Sequence, residues 1–121
     1  MAHAVFDVDG TAAAYPQECQ TLMSALMAAG HRVSILTGTS SMPVTQADFD
    51  NKADYLRSLG MGESYQDMTV ISNKVANGLA VAKALWLRDV GADIFVDNST
   101  ANAQEAVKYV DLVLVPWATR V

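Results

Sequence analysis

Short apolar runs and segments of helical spacing take turns along this chain, with only a few residues connecting each to the next. That alternation limits the available folds more than any other feature. Ala4 to Asp7 is too short for a helix and too apolar for a surface, so it reads as a buried strand. Pro16 opens a helix reaching Ala29, with Leu22, Ala25, Leu26 and Ala29 on one face and Gly30 as the stop. Further strands are predicted at Arg32 to Thr37, Met68 to Ser72, Ile94 to Asp97 and Leu112 to Val115. Helices fall between them. One starts at Asp48 or Asp50, either of which can cap it, and runs to Leu59 before Gly60. Others span Leu79 to Asp89, before Gly91, and Thr100 to Tyr109. Residues 38–47 read as loop.

Strands and helices in strict alternation predict an α/β domain with right-handed crossovers and helices on both sheet faces. The expected architecture is a single Rossmann-like three-layer domain over residues 1–121, with a five-stranded, mostly parallel sheet and no cap domain. Composition agrees: 51% hydrophobic and 17% charged residues exclude disorder and suit a sheet covered on both sides. No apolar run reaches membrane-spanning length, and the N-terminus carries no signal-peptide pattern, so the expectation is no membrane and a cytoplasmic location. A single cysteine, Cys19, excludes a disulfide framework and reads as a helix-face residue. The net charge is −5, and the eight Lys and Arg residues are scattered. Extended nucleic-acid binding calls for a basic stripe, which is missing. A small phosphorylated molecule is the expected partner, with a polynucleotide end as the alternative.

In parallel sheets of this kind, ligands bind outside the carboxyl ends of the strands. Asp7, Thr37 and Asp97 close three of the predicted strands and therefore converge on one edge. Directly after the first strand stands Asp7-Val8-Asp9-Gly10-Thr11. Two acids so close together repel each other, unless a divalent cation sits between them or one of them does chemistry.

These residues resemble the first motif, DxDGT, of the haloacid dehalogenase-like phosphohydrolases. Ile35-Leu36-Thr37-Gly38 resembles that family's second motif, Lys83 its third-motif lysine, and Phe95-Val96-Asp97-Asn98 its acidic fourth motif. They occur in the family's order and span almost the whole chain. The resemblance implies a small, capless, Mg²⁺-dependent phosphatase. Asp7 would be the nucleophile, forming an aspartyl-phosphate. Asp9 would serve as general acid and base, its side chain turned from Asp7 by the Gly10-Thr11 turn. Asp7, the Asp9 backbone carbonyl and Asp97 would hold Mg²⁺. Thr37, Gly38 and Lys83 would bind the phosphoryl oxygens, Gly10 and Thr11 would also bind the substrate, and Lys83 would keep Asp7 ionised. Lys74, directly after the third strand, competes with Lys83 for that role. Capless relatives accept bulky phosphates or oligomerise so that a neighbour supplies the lid. Val81-Ala82-Lys83-Ala84-Leu85-Trp86 is loosely similar to the phosphatase part of polynucleotide kinase/phosphatases.

Each residue also has a plainer reading. Asp7 and Asp9 can form a turn or a helix cap, Thr37 can simply end a strand, and Asp97 can cap the next helix with Asn98 and Ser99. His3 and His31 lack ligand spacing and read as surface or strand-end residues, while Trp86 and Trp117 read as packing. The chain departs from the family where Asn98 replaces a second acid and where Ala12-Ala13-Ala14 follows Thr11. Two other classes fit parts of the pattern. A receiver-type signalling domain needs an Asp after the third strand and a Lys after the fifth, where this chain has Ser72-Asn73 and Pro116-Trp117. A catalytically weak binding or assembly subunit is favoured by Asn98 and disfavoured by intact Asp7 and Asp9.

Overall fold

Val5 and Phe6 are both fully buried on opposite faces of one strand, so that strand needs cover on both sides. The computed structural model, which describes residues 1–116, supplies it. The elements are β1 (His3–Phe6), α1 (Pro16–Ala28), β2 (Arg32–Thr39), α2 (Gln46–Ser58), β3 (Asp67–Ser72), α3 (Gly78–Val90), β4 (Ile94–Val96), α4 (Thr100–Ala106) and β5 (Leu112–Leu114). All neighbouring strands pair in parallel, and the sheet order is β3-β2-β1-β4-β5. The predicted three-layer α/β fold is the one observed. Trp117 lies outside the described residues.

Each face has its own core. On one side Ala4, Phe6, Val33 and Ile35 pack with Cys19 and Met23 of α1 and Leu56 of α2. On the other, Val5, Leu36 and Phe95 pack with Leu87 of α3 and Ala106 of α4. The alternation of side chains along β1 and β2 sorts these residues to their faces. Each large apolar side chain removed from water contributes about 1.5–3 kcal/mol. The connections reverse direction between β1 and β4: β2 and β3 lie to one side of β1, β4 and β5 to the other. That switch leaves a crevice above the carboxyl ends of β1 and β4.

Several boundaries move from their expected places, each for a local reason. β2 continues through Thr39 because Gly38 and Thr39 still pair with Ile71 and Ser72 of β3. α2 begins earlier than either expected aspartate, at Gln46. Its cap is Thr45, and Asp48 in the first turn accepts from the Thr45 backbone N–H at 2.7 Å, closing a capping box. α4 stops at Ala106, where Lys108 and Tyr109 switch to the tighter bonding of a final turn, donating to Glu105 and Ala106. His3 takes the strand-end place expected for it, as the first residue of β1, but it is not on the surface. It is 7% exposed, its Nε2 lies 2.7 Å from Ser34 Oγ, and its ring meets Trp86 edge-on. A polar ring is tolerated there because a hydroxyl partners it.

Candidate functional site

Register brings the two central acids together. Phe6 of β1 pairs with Val96 of β4, so Asp7 and Asp97 leave the sheet side by side at the switch point. The Asp7 N–H still donates to the Val96 carbonyl at 2.9 Å. Beyond Asp7 the chain makes a sharp turn: Asp9 has φ −68°, ψ 123° and Gly10 φ 75°, ψ −7°. These are the central angles of a type II turn, whose third residue needs positive φ and so favours glycine. A Cβ on Gly10 would also sit 2.4 Å from Asn98 Nδ2. Thr11 ties the two strand ends together. Its Oγ1 accepts from the Asn98 N–H at 2.9 Å, and its proton is shared between Asp7 Oδ2 at 3.2 Å and Asn98 Oδ1 at 3.3 Å.

Lys83 rises from α3 beneath this edge. Its Nζ donates to Asp7 Oδ1 at 2.8 Å and to Asp97 Oδ2 at 3.0 Å, and it lies 5.9 Å from the centre of the Phe95 ring. All three charged groups are buried. Asp97 further accepts from Ser99 N–H and Asn102 Nδ2, both at 2.9 Å. Burial pushes the Asp7 carboxyl above its ordinary range; Lys83 opposes that shift and the Asp97 charge adds to it. Thr37 is fully buried, yet among the described residues its Oγ1 has no hydrogen-bond partner. Gly38 lets β2 approach α3: a Cβ there would come within 2.7 Å of Leu79 Cδ2.

Of the expected residues, Asp7, Asp97, Lys83 and Thr11 thus join in one hydrogen-bonded network, Gly10 shapes the turn beside it and Gly38 lines the same cleft of about 560 Å³, whereas Thr37 is fully buried and does not line it. Lys74 is exposed and takes no part in it. The Asp9 carboxylate turns away to the rim, where its side chain is 69% exposed and accepts from Lys52 Nζ at 3.0 Å. Lys52 and Asn102 escaped sequence reasoning. Lys52 sits mid-helix like any solvated lysine, and only the fold swings α2 over the turn after β1. Asn102 had a weak signal, since it follows the Ser99 cap by one helical turn.

Among the described residues no group of three or more His, Cys, Asp or Glu side chains is gathered as a metal site. The acids at hand are the Asp7 and Asp97 pair. Mg²⁺ is bound through one or two carboxylates, several waters and the oxygens of a phosphorylated ligand, so this pair has the right donor chemistry.

No family model matches the chain, and no curated protein matches its sequence. Solved structures do. A universal stress protein in complex with cAMP has a TM-score of 0.55 and 16% identity, covering 95% of this chain and 96% of its own. A protein of the universal stress protein family from Burkholderia pseudomallei has a TM-score of 0.59 and 12% identity, covering 96% of both. At these identities the likeness is one of fold. The reading of the chain as a haloacid dehalogenase-like phosphatase, and with it the assignment as a hydrolase enzyme, is corrected by this finding. The physical reason lies in the motif itself. Gly10 answers to the turn, Thr11 to the join between Asp7 and Asn98, and Asp9 to Lys52, so the run has structural work whatever the chemistry. A switch-point crevice serves many activities on one fold.

Proposed function

We propose that the chain is a binding domain for a small phosphorylated ligand, a nucleotide first of all, held with Mg²⁺ above β1 and β4. The observation carrying this reading is the buried Lys83 between Asp7 and Asp97, set at the switch point of the sheet beside an open cleft. Charge balance supports the cation. The acids Asp7, Asp9 and Asp97 outnumber the lysines Lys52 and Lys83 around the cleft, so a bare phosphate meets net negative charge and a divalent ion reverses it. Asp7 and Asp97 would hold that ion. Gly38, in the cleft wall at the end of β2, would meet a phosphoryl oxygen through its backbone. Gly10 and Thr11 would keep Asp7 aimed at the cleft. The cAMP bound to one fold neighbour supports the nucleotide class. The acidic balance favours a small molecule over a polynucleotide end. No helix among the described residues is long and apolar enough to cross a membrane, and a lone buried Cys19 thiol suits a reducing compartment.

Calorimetric titration with AMP, cAMP and ADP, with Mg²⁺ and with EDTA, tests this reading while released phosphate is followed in the same samples. Mg²⁺-dependent binding without release is expected. Absence of binding, or steady phosphate release, would overturn the proposal.

A further inference from the structure

The cleft has two cations of very different freedom. Lys83 has 2% of its side chain exposed and holds two buried carboxylates, so it cannot move without stranding both. Lys52 sits at the mouth with 21% exposure, on a carboxylate that is itself largely in water. Such an exposed pair contributes little and breaks readily, because Asp9 regains full hydration when it is released. The backbone carrying Lys52 is nonetheless well held. Asp48, in the first turn of α2, accepts from Ser41 Oγ at 2.9 Å and Thr39 Oγ1 at 3.1 Å as well as from Thr45. Those bonds fasten the helix to the segment that lines the cleft beside Gly38. Lys52 is therefore a long, flexible cation on a fixed base, parked on a weak partner above the mouth of an anion site.

Resting on the phosphorylated-ligand reading, we propose that Lys52 is the rim anchor of this cleft and selects ligands with a second, terminal phosphate. On binding, its ammonium trades the Asp9 carboxylate for that phosphate, while the inner phosphate stays over Lys83 and Gly38. The exchange is an ion-pair swap with no covalent step. Asp9 acts as a competitor built into the turn: it holds Lys52 ready in the free protein and sets a threshold that only a strongly charged group exceeds. The ligand class that follows is a nucleoside diphosphate in preference to the monophosphate.

The test is calorimetric titration of the full chain with AMP and with ADP at constant excess Mg²⁺, for wild type, Lys52→Gln, Asp9→Asn and the double variant. Wild type should prefer ADP about tenfold, the worth of one charged contact in this setting. Lys52→Gln should erase that preference while leaving AMP affinity within about twofold. Asp9→Asn, which frees the lysine, should tighten ADP about threefold, and the double variant should match Lys52→Gln. An ADP preference that survives Lys52→Gln, or ADP affinity unchanged by Asp9→Asn, overturns the rim-anchor role. In either case retained AMP binding leaves the wider reading standing. Loss of both nucleotides by wild type removes that reading and this proposal with it.

Discussion

A lysine with 2% of its side chain exposed persists only where its charge is met on the spot, and Lys83 is met twice. The arrangement works in the other direction as well, since each of two buried acids would be uncompensated without the ammonium. Replacing a whole buried ion network by apolar groups can be harmless, whereas removing one member is not. Lys83→Met should therefore destabilise the fold by about 3–5 kcal/mol, read from urea denaturation. A loss below about 1 kcal/mol would mean that Asp7 takes up a proton or that water reaches the pair. Thr37 is the converse case, a buried hydroxyl without a hydrogen-bond partner among the described residues.

Among the elements, the turn after β1 matters most to the site. It has to carry the chain from a buried strand to α1, aim Asp7 inward and send Asp9 outward, all within a few residues. Gly10 makes this possible with φ 75° and with no Cβ to meet Asn98. Gly10→Ala should cost about 1–3 kcal/mol from the positive φ alone, and more if Asn98 cannot shift. Thermal denaturation checks the loss, and weakened Mg²⁺-dependent nucleotide binding would show that the Thr11–Asn98 join moved with it. An unchanged Tm would mean that the turn has another conformation open to it. The helix bearing Lys52 was legible as a helix. Its true cap was not, because Asp48 also serves Thr39 and Ser41 across the end of β2.

For the whole molecule, proton balance belongs at the edge of the sheet opposite the site. Burial, aided by the Arg32 charge, lowers the His3 pKa; Asp67 and Asp93 pull the other way and do not prevail. The unfolded chain takes up a proton there near pH 6.5, while the folded protein resists it, so stability falls as pH drops through and below that value. The urea midpoint should decline between about pH 7.5 and about pH 5.5, and His3→Gln, which cannot titrate, should flatten that decline. Equal pH dependence in both proteins would assign the effect to other groups. The order of strands and helices, the stops at Gly30, Gly60 and Gly91 and the meeting of Asp7 and Asp97 at the end of β1 and β4 were all determined by the sequence itself, whereas Thr37 stays buried outside that network. They follow from hydrophobic period and turn chemistry, which act over a few neighbouring residues. Only the tertiary structure decided that Lys83, not Lys74, bridges the acids, that Asp9 faces Lys52, that His3 is buried, and that the chain shares the fold of universal stress proteins. Those outcomes depend on contacts between residues 14 to 76 positions apart. Contacts at such separations are set by strand register and helix placement, and no local pattern encodes them.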